Sequence, residues 1–190
     1  MFRRIPSPGC GTTIRFSASD PIAESDIRKR LNDGLPNSLA EWIVADGLNH
    51  FKLNGNNLER DVARVLHIDH VAAEVETRRG VKEWYYSLDF NEQCQDVDYL
   101  LSFMQHVKEG SPAGYERITF IEQPTSRDLI ATPEQLLFKA SKLKPVVMDE
   151  SLTGFEALQR GREIGYTGVA LKACKGLPAS LPTFLRSNNH

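Results

Sequence analysis

Three carboxylates stand where short apolar runs end. Asp89 follows Trp84–Leu88, Glu122 follows Arg117–Ile121 and Asp149 follows Pro145–Met148. Carboxylate oxygens are the ligands a hard divalent cation such as Mg2+ takes. One acidic residue at a strand end is most simply a solvated side chain or a helix cap. Three at successive strand ends ask for a shared purpose, and neighbouring strands would bring them within reach of one ion. Two lysines bracket the set, Lys52 one run earlier and Lys172 one run later. Beside a divalent cation and partly out of water, an ammonium gives up its proton more readily and can act as a base. A lone lysine at a strand end would more simply lay its stem along the surface and keep its charge in water.

Such residues need strands whose ends converge, and the chain alternates accordingly. Ile14–Ala18, Asn49–Leu53, Trp84–Leu88, Arg117–Ile121, Pro145–Met148 and Thr167–Leu171 read as strands. Ser38 opens a helix that runs to Asp46 and stops at Gly47. Leu58–Val71 carries apolar residues at helical spacing, and Val97–Val107 does the same. Thr132–Pro133 opens a helix to about Lys142, and Ser151 or Thr153 caps one that reaches Ile164 and ends at Gly165.

This alternation implies a parallel sheet with helices packed on it. From Lys52 through Asp89, Glu122 and Asp149 to Lys172 the intervals are 37, 33, 27 and 23 residues. A full eight-stranded β/α barrel averages roughly 31 per unit and keeps its chemistry at the C-terminal ends of its strands. A doubly wound open sheet would show a glycine-rich phosphate loop after the first strand, and none is present. The expected fold is therefore α/β, a partial TIM-type (β/α)8 barrel over residues 12–176 with about six units. Residues 1–11 read as an N-terminal extension and 177–190 as a C-terminal tail in which no seventh or eighth strand is legible. In a closed barrel Lys52 and Lys172 fall on opposite sides of the metal.

Composition narrows the function classes. With 190 residues the chain can bury a sizeable core. A net charge of −2 argues against a strongly basic nucleic-acid binder, and 41% hydrophobic with 25% charged residues is an ordinary globular balance. No run of apolar residues is long enough for a membrane span, and Met1–Pro6 starts basic with no apolar stretch behind it. Cys10, Cys94 and Cys174 are odd in number and far apart, which disfavours disulfides and makes a cytoplasmic setting the default. Cys94 and Cys174 are most simply small buried residues.

The motifs resemble a known family. Ile121-Glu122-Gln123-Pro124, Pro145-Val146-Val147-Met148-Asp149-Glu150-Ser151 and Leu171-Lys172-Ala173-Cys174-Lys175-Gly176 look like barrel signatures of the enolase superfamily, in particular its mandelate racemase and muconate lactonizing enzyme group. Leu88-Asp89-Phe90-Asn91 is similar to that group's Asp-x-Asn at the third strand. His50-Phe51-Lys52 stands where the group has Lys-x-Lys, and Leu58–Arg64 resembles the helix that follows.

The resemblance implies an enzyme in which Asp89, Glu122 and Asp149 bind Mg2+ and the metal holds the carboxylate of a small-molecule acid substrate. A base removes the α-proton, giving an enediolate; a Lys or His base with Mg2+ is the recognised pattern of this superfamily. It makes Lys52 and Lys172 the acid/base pair. Two bases on opposite faces permit racemisation or epimerisation, while a base and an acid permit dehydration of a hydroxy acid, and the residues leave both open. His50 replaces the group's first lysine, and a neutral imidazole is a weaker partner for a substrate carboxylate. Asn91, Glu150 and Lys175 are candidates for orienting the site or binding substrate. Gln123-Pro124 reads as shaping the turn after its strand rather than doing chemistry.

The group's N-terminal capping domain and last two strands are not legible, which leaves a competing expectation: a catalytically silent fragment, completed by another chain or inactive. Exposed strand edges would invite such pairing, and a homo-oligomer stays open. An unrelated α/β binding module would leave the coordinated strand-end residues without a reason.

Overall fold

Helix starts and stops follow local chemistry. In the computed structural model, which describes residues 13–16, 19–55, 57–130 and 136–171, α1 (Leu39–Asp46) begins where the Ser38 side chain accepts from the Glu41 N–H. It ends at Gly47, left-handed at φ +67°. α2 (Leu58–Arg78) is capped by Asn57. It runs past the expected Val71 because Ala72, Val75 and Glu76 continue its buried stripe.

The chain divides into two compact units. In the first, which holds the described residues from 13 to 88 with 103–118, the strand order is β1-β2-β3. β1 (Thr13–Phe16) pairs in parallel with β2 (His50–Asn54). The Tyr85 N–H at the start of β3 (Tyr85–Asp89) donates to the Asn49 carbonyl at 2.9 Å. Alternation sorts the side chains: Phe51, Leu53, Tyr86 and Leu88 are buried, while His50, Lys52, Tyr85 and Ser87 are half-buried. Ring contacts confirm the two faces, with Phe51 and Tyr86 at 5.9 Å and His50 and Tyr85 at 5.4 Å between centroids. Leu39, Ile43, Ile68 and Ala72 complete this core.

The same unit buries one polar cluster. Asp69 on α2 accepts from the Tyr86 hydroxyl at 2.8 Å, the Ser111 hydroxyl at 2.7 Å and Arg117 Nη1 at 2.9 Å. Trp84 Nε1 donates to the Tyr86 hydroxyl, and the Arg117 guanidinium lies 3.9 Å from the Trp84 ring centroid. Burial pushes the Tyr86 hydroxyl pKa well up, with the Asp69 carboxylate adding to it. Ser111 caps α4 (Pro112–Arg117), a short helix with Pro112 in its first turn; the sequence assigns no element to 112–116, and Arg117, expected to open the next strand, ends this helix instead. It follows α3 (Val97–Gly110).

The second unit contains 89–102 and the described residues from 119 to 171, with strand order β4-β5-β6. β4 (Ile118–Glu122), β5 (Val146–Met148) and β6 (Gly168–Val169) pair in parallel. α5 (Phe138–Leu143) starts later than expected, and Thr132 and Pro133 lie outside the described residues. α6 (Phe155–Ile164) is preceded by Gly154 with no side-chain cap, so neither Ser151 nor Thr153 caps it. Gly165 ends it at φ +107°, where a Cβ would come within 2.7 Å of the Phe138 backbone nitrogen. The parallel strands with intervening helices are the α/β order expected. Among the described residues no helix is long and apolar enough to cross a membrane.

Candidate functional site

Backbone register brings the three carboxylates to neighbouring strand ends within the second unit. Glu122 on β4 is level with Val147 on β5, and the Gln123 N–H donates to the Val147 carbonyl at 3.0 Å. One strand away, the Phe90 N–H donates to the Glu122 carbonyl at 3.2 Å. By the same parallel offset that bond sets Asp89 beside Glu122, about 4.8 Å away across the ladder. Asp149 lies two residues beyond Val147, directly after β5 ends at Met148. All three are buried: Asp89 and Glu122 are 3% exposed and Asp149 is 1% exposed. Among the described residues no three His, Cys, Asp or Glu side chains are gathered so that they hold a metal ion as they stand.

The loops around these ends are strained and tied down. Asn91, Glu92 and Gln123 have φ of +45°, +69° and +34°, left-handed values unusual for residues with a Cβ. The Asn91 N–H donates to Asp89 Oδ1 at 3.0 Å, so the residue after Asp-x holds the carboxylate with its backbone. Glu92 meets Arg127 Nη2 at 2.5 Å and Nε at 2.9 Å, and this pairing holds the Glu92 carboxyl below the usual carboxylate range. Its N–H donates to the Gln123 carbonyl. Glu150 is half-buried beside Asp149.

Gln123 is the residue sequence reading undervalued. It is fully buried, and its Oε1 accepts from the Asp149 N–H at 3.0 Å, the Ser151 N–H at 3.2 Å and the Ser151 hydroxyl at 2.7 Å. Its Nε2 donates to the Thr125 carbonyl and the Tyr166 hydroxyl, each at 3.0 Å. Burial pushes the Tyr166 pKa up to about 12, so the hydroxyl is neutral. The only sequence signal was an amide directly after a strand-end carboxylate.

In the first unit, Lys52 and His50 share the half-buried face of β2. His50 Nδ1 lies 2.7 Å from Asn49 Oδ1, its Nε2 is buried without a hydrogen-bond partner, and burial lowers its pKa. The imidazole is thus neutral at pH 7. Cys94 is buried. Lys172, Cys174 and Lys175 lie outside the described residues.

These features define a parallel α/β fold with carboxylates at its strand ends. No protein-family model and no curated protein matches the sequence. Among solved structures, the chain is similar to a mandelate racemase/muconate lactonizing protein from Paracoccus denitrificans complexed with magnesium, at 12% identity and TM-score 0.59 over 79% of this chain and 38% of that one. It is also similar to a dipeptide epimerase from Enterococcus faecalis complexed with Mg and the dipeptide L-Leu-L-Tyr, at 20% identity and TM-score 0.56 over 76% of this chain and 37% of that one. The fold is that of part of these proteins, the partial α/β architecture that the motifs implied. The chain spans under two fifths of the length of the solved structures it matches.

Proposed function

We propose that this chain carries the metal-binding and acid/base residues of a Mg2+-dependent enzyme that removes the proton α to a substrate carboxylate. The observation that carries this reading is the burial of Asp89, Glu122 and Asp149 at neighbouring strand ends of one unit. Three carboxylates are an oxygen donor set suited to a hard cation. Bound there, Mg2+ would supply the positive charge that an enediolate needs. Because the three side chains are not gathered round one point, binding includes their readjustment. The sequence resemblance makes Lys52 and Lys172 the pair that takes and returns the proton. The neutral His50 offers a hydrogen bond, not a charge, to the substrate carboxylate. Two neighbours with TM-scores above 0.5, one of them an epimerase holding a dipeptide, support racemisation or epimerisation of a small carboxylate, with dehydration of a hydroxy acid as the other outcome of the same first step.

The absence of a gathered metal cluster among the described residues favours the competing reading, a catalytically silent chain. Calorimetric Mg2+ titration separates the two. Wild type is expected to bind, and Asp149→Asn to abolish binding. In heavy water, exchange of the α-proton across a panel of carboxylates is expected to fall by about 10²–10⁴-fold in Lys52→Ala. Binding that survives Asp149→Asn removes the metal assignment, and undiminished exchange in Lys52→Ala removes the role of that lysine.

A further inference from the structure

Five hydrogen bonds meet on the Gln123 side chain, and their chemistry allows one residue type. Oε1 faces two backbone N–H groups, which can only donate, and the Ser151 hydroxyl. Nε2 faces the Thr125 carbonyl, which can only accept, and the Tyr166 hydroxyl. The carboxamide orientation is therefore fixed by its partners. A glutamate of the same shape has no donor for the Thr125 carbonyl and would bury a further charge beside Asp149. A methionine of similar length has neither donor nor strong acceptor. The left-handed backbone at Gln123 is a cost the surroundings must impose, and such strain gathers where a side chain has to be aimed. What the amide aims is the turn that carries Asp149, held at its first and third residues.

We propose that Gln123 is a positioning residue for the carboxylate centre: its carboxamide fixes the Asp149–Ser151 turn and thereby sets where the Asp149 carboxylate stands relative to Glu122. This rests on the metal reading above for its functional meaning. It also makes a claim about the chain alone, and the two are separable. Ser151 serves as the hinge of this arrangement rather than as a helix cap, and Tyr166 anchors the amide from the far side. The pair Glu122-Gln123 thus has two duties from one strand end: Glu122 offers the ligand, and Gln123 places the ligand of the next strand.

The test compares wild type with Gln123→Met and Gln123→Glu, and with the milder Ser151→Ala and Tyr166→Phe. Two readouts are taken: residue-resolved amide hydrogen exchange by NMR without metal, and Mg2+ affinity by calorimetry. In Gln123→Met, exchange at the Asp149 and Ser151 amides is expected to accelerate well beyond any change at Val147, and Mg2+ affinity to fall about tenfold or more, the usual effect of losing a residue that orients a metal ligand. Gln123→Glu is expected to fail in the same way despite its matching shape. Should the Gln123 variants not fold, Ser151→Ala and Tyr166→Phe carry the same readouts with smaller shifts. Acceleration spread equally over the core, Val147 included, would assign Gln123 a merely structural role and overturn the proposal. So would unchanged affinity in a folded Gln123→Met chain when wild type binds. If wild type binds no Mg2+, the metal reading fails by itself, and the exchange pattern still decides whether Gln123 places Asp149.

Discussion

At the scale of single residues, His50 shows what burial does to a titratable group at a strand end. Its Nε2 is shielded from water and its Nδ1 is engaged by Asn49, so the charged form loses solvation that neighbouring groups do not restore. The folded pKa lies below the usual histidine value of roughly 6.5. Stability from this group is fully present above that value and is lost as pH falls through it, because the unfolded chain takes up the proton first. NMR titration of the His50 ring is expected to give a midpoint below the usual histidine value of roughly 6.5. A midpoint at or above that value would mean an anion faces the ring and would restore a cationic role. The positions of Asp89, Glu122 and Asp149 at strand ends were legible because each follows an apolar run. The role of Gln123 was not, because its partners are backbone groups far away in sequence, and no local pattern encodes them.

At the scale of elements, boundaries were legible wherever a cap or a stop marked them. Ser38 and Gly47 bound α1 as read, and Gly165 ends α6. The reading failed where tertiary burial decided. α2 continues past Val71 on the strength of Val75 and Glu76, and the second cap was misassigned because the Ser151 hydroxyl is taken by Gln123. The Asp69 cluster is the polar counterpart of this packing, tying α2, β3 and α4 together through three donors on one carboxylate. Removing that acceptor leaves the Tyr86 hydroxyl and Arg117 without their anion in a buried setting. Asp69→Ala is expected to cost about 3–5 kcal/mol in urea unfolding. Glu74→Ala, which breaks an exposed ion pair with Arg78 on the same helix, is expected to leave the midpoint nearly unchanged. Equal effects would show that the cluster is no more than surface charge.

At the scale of the whole molecule, the carboxylates set a conflict between stability and binding. The chain has a net charge of only −2, yet three negative side chains are buried at adjacent strand ends of one unit. Groups kept for binding rather than for folding commonly lower the stability of the native state. Asp89→Asn removes one charge and keeps an oxygen that can accept from the Asn91 N–H. In the presence of a chelator the variant is therefore expected to be more stable than wild type by about 1 kcal/mol, as is common when a functional charge is neutralised. Excess Mg2+ should reverse the order. A ligand that binds only the native chain stabilises it by about 2.7 kcal/mol at a hundredfold excess over its dissociation constant, and the variant forfeits most of that gain. Unfolding midpoints measured with chelator and with Mg2+ should thus cross between the two proteins. An Asp89→Asn chain less stable under both conditions would identify Asp89 as a structural acceptor for its own loop. The buried carboxylates would then be part of the scaffold, and the case for a metal centre would lose its physical basis.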